Sequence, residues 1–266
     1  MRRSRFVILI AGSAVATIAT LALASPAQAA AGDRYVALGD SYSSGVGAGN
    51  YTSSSGSCDR STNAYSALWA AAHAPASYIS VACSGATTTS VLNSQLSALS
   101  SATTLVSITV GGNDVGFATI MQTCAVDGTT DCVNAVQAAE NTANTRLPGL
   151  LDSVYNAIRT AAPNARVVVL DYPVFYQLNT FCLGLSATSH AKIDEGINLL
   201  DGILSSAAGR HGFRFADVRS IFVGHQLCSG DKWLHALNVF DITESYHPTA
   251  NGQSLGYLPV FTSAAR

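Results

Sequence analysis

Short runs of apolar and β-branched residues alternate along the chain with longer segments whose apolar positions recur at helical spacing. The strand-like runs are Tyr35-Val36-Ala37-Leu38, Tyr78-Ile79-Ser80-Val81-Ala82, Leu105-Val106-Ser107-Ile108-Thr109-Val110, the run 166–170, and Gly212-Phe213-Arg214-Phe215-Ala216. Between them, 63–73 carries Tyr65, Leu68, Trp69 and Ala72 on one face, and 88–99 carries Val91, Leu92, Leu96 and Leu99; both predict helices. Residues 131–162 read as helical with a break at Pro148, and 186–210 as a further helix. Five strands separated by helices predict an α/β protein, a three-layer α/β/α sandwich around a mostly parallel five-stranded sheet.

Three of the strands end in glycine and polar residues. Gly39-Asp40-Ser41-Tyr42-Ser43 follows the first, Cys83-Ser84-Gly85-Ala86 the second and Gly111-Gly112-Asn113-Asp114 the third. Parallel strands joined by crossover helices bring such turns to one edge of the sheet, where α/β proteins build their sites. Ser41 is therefore a candidate nucleophile. The Gly/Ser-rich stretch 43–62 reads as a surface loop near that edge. Late in the chain, Pro248 biases His247 toward an extended loop conformation, and Thr249 or Asn251 starts a final short helix.

The N-terminus has Arg2, Arg3 and Arg5, then an apolar stretch over about 6–24, then Ala27-Gln28-Ala29. This pattern predicts a secretory signal peptide over 1–29 and one domain over 30–266, with a secreted, extracellular product and no stable membrane insertion after cleavage. An uncleaved anchor is the competing reading of the apolar stretch. Cleavage leaves eleven basic residues against sixteen acidic ones, a net charge of −5. With no basic patch, nucleic acid is not an expected partner. The remaining length suffices for one α/β core, and no linker, repeat or second domain is visible. A monomer is expected.

Six cysteines, Cys58, Cys83, Cys124, Cys132, Cys182 and Cys228, read as three disulfides in an exported chain. The sequence has no Cys-x-x-Cys and no histidine pair at helical ligand spacing, so zinc is the weaker use. Of the fifteen possible connectivities, only the close pair Cys124/Cys132, around a turn-rich segment, stands out.

A serine hydroxyl needs a neighbouring base, and histidine is the side chain best matched to that at neutral pH. His73, His190 and His211 fall on helical surfaces or ends, and His225 and His235 in a late loop; His247 is favoured by its setting. Attack on an ester generates an oxyanion, for which Gly85 offers an unobstructed backbone N–H, Asn113 a side-chain amide and Ser41 its own N–H. Gly252-Gln253-Ser254-Leu255-Gly256 matches the G-x-S-x-G elbow, but no strand precedes it and no histidine follows it, so Ser254 is set aside.

Together, Gly39-Asp40-Ser41-Tyr42-Ser43, Gly85, Gly111-Gly112-Asn113-Asp114 and Ser245-Tyr246-His247-Pro248 resemble the blocks of the SGNH, or GDSL, hydrolase family, in order. The mature chain is similar to the family's secreted actinobacterial lipase and phospholipase A1 branch. The resemblance implies a flavodoxin-like fold, Ser41 as nucleophile, His247 as general base, and an oxyanion hole of Ser41, Gly85 and Asn113. It also implies disulfides Cys58–Cys83, Cys124–Cys132 and Cys182–Cys228, and no metal or cofactor. The family usually has Asp three residues before the histidine, where this chain has Glu244. Either Glu244 or the backbone carbonyl of Ser245 can orient His247, and the carbonyl is the favoured reading.

The expectation is a secreted serine esterase acting on lipid or acyl esters, its activity rising near pH 6 to 7 as His247 loses its proton. Phe117, Ile120, Met121, Phe175, Tyr176 and Phe181 follow strand ends and are candidate walls of an acyl groove. Two rivals stand: a carbohydrate O-deacetylase of the same family, which would have a small polar pocket, and a non-catalytic secreted binding module on the same fold.

Overall fold

The computed structural model describes residues 32–238 and 242–266, so the segment read as a signal peptide, 1–29, lies outside the described residues. The five strands are β1 (Arg34–Gly39), β2 (Ser77–Ser80), β3 (Leu105–Thr109), β4 (Arg166–Leu170) and β5 (Arg214–Ala216). All neighbouring pairs run parallel, in the order β2-β1-β3-β4-β5. The chain leaves β1 toward one edge, then crosses back to place β3 on the other side of β1. Loops after β1 and β3 therefore part company, opening the crevice at which α/β sheets of this order bind ligands. β3 is buried along its whole length, as expected for a central parallel strand covered on both faces.

The helices are α1 (Ser41–Ser44), α2 (Tyr65–His73), α3 (Thr88–Ser90), α4 (Phe117–Val126), α5 (Thr129–Ala161), α6 (Ala187–Arg210) and α7 (Leu258–Ala264). α2 packs on α7, while α5 packs along α6 and against α4. Tyr35 of β1 meets Trp69 of α2 edge-on and stacks on Phe261 of α7, with ring centroids 5.3 and 5.4 Å apart. These aromatic contacts fasten the sheet to the layer of α2 and α7.

Several local expectations change. α5 does not break at Pro148 but runs through it for 33 residues. The carbonyl that Pro148 leaves unpaired belongs to Asn144, which is exposed to water, and buried Leu147 and Leu151 hold both halves against the core. The segment 43–62 is not a plain surface loop: it holds the end of α1, a 3₁₀ turn over Ser53–Cys58 and the buried residues Ser43, Ser44 and Val46. After α3, the expected helix widens into a π turn over Val91–Gln95 and then tightens into a 3₁₀ turn over Leu96–Ala98. A second π turn, Gly252–Tyr257, precedes α7 and contains Ser254. His190, read as lying on a helical surface, is buried and stacks on Tyr176 with centroids 3.9 Å apart, because its face of α6 turns toward the loop after β4.

The six cysteines pair as Cys58–Cys83, Cys124–Cys132 and Cys182–Cys228. The first ties the 3₁₀ turn at Ser53–Cys58 to the end of the β2 ladder, two residues before Gly85. The third brings both its sulfurs near His190, but sulfurs bonded to each other are not thiolate ligands for a metal.

Candidate active site

At the carboxyl end of β1 the backbone must turn sharply while passing β3. Gly39 adopts φ +118°, and a Cβ there would lie 2.3 Å from the carbonyl oxygen of Thr109, so only glycine fits. The Gln95 amide, projected by the first π turn, clasps this glycine: the Gly39 N–H donates to Oε1 at 2.7 Å and Nε2 donates to the Gly39 carbonyl at 2.8 Å. On the other side, Gln253 of the second π turn donates to the Tyr42 carbonyl at 3.0 Å and accepts from the Tyr65 N–H at 2.9 Å. Two buried amides thus hold the backbone before and after Ser41.

Asp40 caps α1, accepting the Tyr42 N–H at 3.0 Å. It also accepts the hydroxyls of Thr109 at 2.6 Å and Tyr172 at 2.5 Å. Burial pushes its carboxyl up to about 6, against the opposing pull of these hydrogen bonds. Tyr172 in turn accepts the Gly112 N–H at 3.2 Å, so Asp40 anchors the loop after β3 as well as the turn after β1.

Ser41 is 7% exposed, and its Oγ lies 2.7 Å from Nε2 of His247. The other ring nitrogen, Nδ1, is 3.1 Å from the Ser245 carbonyl oxygen. A carbonyl can only accept, so Nδ1 carries the proton and Nε2 presents its lone pair to the serine hydroxyl. Glu244 is engaged elsewhere: its Oε1 accepts the Tyr51 hydroxyl at 2.5 Å. Tyr246 stands between Ser245 and His247 at φ +67°, a left-handed conformation rare for an aromatic residue. This torsion sets the direction of the Ser245 peptide relative to the imidazole. The Tyr246 carbonyl accepts from the Tyr42 hydroxyl at 2.8 Å, and the Tyr246 N–H donates to the His235 carbonyl at 2.8 Å. His235 is itself fixed by donating from Nε2 to the Gly47 carbonyl at 2.8 Å.

Burial pushes the His247 imidazole down to about 4, opposed by the hydrogen bond to Ser245 and reinforced by the neighbouring His235. Among the described residues no carboxylate hydrogen-bonds the ring, so the imidazolium lacks that stabilisation, and the pH at which the ring loses its proton lies below the 6 to 7 expected from its ordinary value.

The loops after β2 and β3 meet beside Ser41. Asn113 donates from Nδ2 to the Ala86 carbonyl at 3.0 Å, which leaves its second amide hydrogen available. Asp114 accepts the Thr88 N–H at 3.0 Å and the Thr88 hydroxyl at 2.5 Å. Gly85, between these ties, sits at φ +74° on the surface, and no hydrogen bond of its N–H is found among the described residues.

Asp40, Ser41, Tyr42, Asn113 and Tyr172 line a pocket whose apolar side is Phe117, Phe175, Ile197 and Leu200. Asp194 accepts the N–H groups of Phe175 and Tyr176 at 3.0 and 3.1 Å, fixing the loop after β4. Of the other candidate groove residues, Ile120 and Met121 line a neighbouring cavity, whereas Tyr176 and Phe181 line a separate groove beside Cys182–Cys228. Sequence reading missed Gln95, Gln253, Thr109 and Tyr172, although Asp40 falls within a motif and each buried tyrosine implies a partner for its hydroxyl.

The model of the GDSL-like lipase/acylhydrolase family matches residues 37–255. Lipase 1 of Streptomyces coelicolor is 54% identical over 271 residues, covering 100% of both chains. The crystal structure of phospholipase A1 from Streptomyces albidoflavus NA297 matches 89% of this chain and 100% of its own at 53% identity and a TM-score of 0.87. That of the extracellular lipase of Streptomyces rimosus matches 86% and 98% at 53% identity and a TM-score of 0.85. The chain belongs to the GDSL-like lipase/acylhydrolase family.

Proposed function

We propose that this protein is a secreted serine esterase that hydrolyses carboxylic ester bonds of lipids through a Ser41 acyl-enzyme. The observation that carries this reading is the 2.7 Å contact between Ser41 Oγ and the unprotonated Nε2 of His247, whose tautomer the Ser245 carbonyl dictates. As Ser41 attacks the ester carbonyl, its proton passes to Nε2, and the new C–O bond leaves the carbonyl oxygen anionic. The N–H groups of Ser41 and Gly85 and the Asn113 amide receive that charge; a single such donor is worth about 3 to 4 kcal/mol in comparable sites. The tetrahedral intermediate collapses, the ester C–O bond breaks, and His247 returns the proton to the departing alcohol. Water then repeats the sequence on the acyl-enzyme, releasing the acid and restoring Ser41.

Lipid esters are favoured over acetylated carbohydrate because one side of the pocket at Ser41 is built of Phe117, Phe175, Ile197 and Leu200, an apolar surface suited to methylenes. The names of the close relatives, lipase and phospholipase A1, point the same way. Cleavage after Ala29 would release residues 30–266 as a single catalytic domain acting as a monomer. No described helix is long and apolar enough to cross a membrane.

Steady-state hydrolysis of p-nitrophenyl butyrate by Ser41→Ala and His247→Ala tests the assignment. Each variant should lose more than about 10³-fold in kcat with an unchanged circular dichroism spectrum. Retention of activity in either folded variant would reject the dyad.

A further inference from the structure

An open groove that the reaction steps above do not use is lined by the end of α4, the segment 181–186 before α6 and parts of the segment 227–237. It adjoins the Ser41 pocket at two places in the chain. Phe175 lines the pocket and Tyr176 the groove, and Tyr246, a groove wall, immediately precedes His247. The rings of Phe175 and Tyr246 stack with centroids 5.5 Å apart, so one aromatic pair backs both.

The rim of this groove is apolar and bare: Phe181 is 86% exposed, Leu183 84% and Val126 74%. A loop free to move would fold such side chains away from water. Two disulfides oppose that. Cys182, between Phe181 and Leu183, is tied to Cys228, and Cys124, two residues before Val126, is tied to Cys132. Large apolar side chains held outward together around one groove, rather than scattered singly, mark an interaction surface.

Charge and size indicate what that surface meets. The chain has sixteen acidic residues against fourteen basic ones, yet no carboxylate lines the groove, and Lys232 is the one charged side chain among its described walls. An ammonium beside an apolar rim matches the phosphates that lie above the acyl region of a lipid surface. A second copy of the chain fits less well, because three side chains cover only part of the roughly 800 Å² that each partner buries in a stable interface.

We propose that Val126, Phe181 and Leu183 dock the protein on a phospholipid surface, their side chains entering the acyl region while Lys232 meets the phosphates. Docking there brings the segment of Tyr246 and His247 to the same surface and shortens the path of a lipid ester to Ser41. That advantage rests on the reading of Ser41 as the nucleophile of a lipid esterase; the docking itself does not.

The test is co-sedimentation with sucrose-loaded vesicles of phosphatidylcholine containing a minor fraction of phosphatidylglycerol, using Ser41→Ala so that the vesicles stay intact. Adding Phe181→Ser and Leu183→Ser should lower the partition coefficient at least about tenfold, and Val126→Ser, on the α4 side, should lower it as well. Lys232→Gln should lower it about fivefold. With Ser41 present, the Phe181→Ser and Leu183→Ser pair should keep kcat/KM on dissolved p-nitrophenyl butyrate within about twofold and lose about tenfold on vesicle phosphatidylcholine. Unchanged partition in the folded rim variants would overturn the docking, as would a dimer in sedimentation velocity that these variants dissociate while vesicle binding persists. Rim-dependent partition, together with vesicle hydrolysis that survives Ser41→Ala, would support the docking and reject the nucleophile.

Discussion

The imidazole of His247 is oriented by the backbone of Ser245, two residues before it, through a 3.1 Å hydrogen bond from Nδ1–H to the carbonyl oxygen. A carbonyl dipole fixes the tautomer as a carboxylate would, but it brings no full negative charge to the imidazolium that forms when Ser41 gives up its proton. In the proposed reaction this arrangement would give up electrostatic stabilisation of His⁺ in exchange for a base that stays neutral in acid.

The pH profile follows from this. In the proposed reaction His247 accepts the Ser41 proton only when neutral, and burial lowers its pKa to about 4. On that reading, activity should be lost only as the pH falls toward that value. For the free enzyme, kcat/KM on a soluble ester should be flat from about pH 6 to 7.5 and decline with a midpoint well below 6. A midpoint between 6 and 7 would mean that the ring is solvated or paired with an acid.

Glu244 is expected to be dispensable for catalysis. Its carboxylate is held by Tyr51 at 2.5 Å, and the Nδ1 proton has another acceptor. Glu244→Gln should keep kcat within about threefold, whereas loss of a true triad acid lowers it about 10⁴-fold. A loss of that order, with the fold intact, would transfer the orienting role to Glu244.

The Gln95 amide matters for stability more than for chemistry. Gln95→Leu leaves the buried Gly39 N–H without its acceptor, while the Gly39 carbonyl still receives the Cys83 N–H at 3.0 Å. Urea unfolding should show a loss of about 2 kcal/mol, the usual penalty for one orphaned buried donor. A change under about 0.5 kcal/mol would mean that water replaces the amide.

Much of this arrangement is legible in the chain because it is local. The runs at 35–38, 105–110 and 166–170 are apolar enough to be buried strands, and Gly39-Asp40-Ser41, Gly85 and Asn113 each follow a strand end. What escapes is what depends on a single inserted residue or on packing. The π turns that aim Gln95 and Gln253 at the Ser41 backbone differ from α-helix by one residue per turn, which apolar spacing does not register. The cavity lined by Phe117, Ile120 and Met121 exists only where α4, α5 and α6 meet, so its walls from α5 and α6, such as Val136 and Ile193, carry no signal in sequence, whereas Phe117 and Met121 follow a strand end. Pro148 misleads for the same reason: the tertiary contacts of Leu147 and Leu151 override a local helix breaker.

Whether Ser41 is a nucleophile activated by His247 is tested most directly by peptide-mapped mass spectrometry after fluorophosphonate treatment of the unaltered protein and of His247→Ala. A single adduct on Ser41, formed rapidly only when His247 is present, is the expected result. No adduct, or an adduct on Ser254 within the π turn before α7, would contradict it.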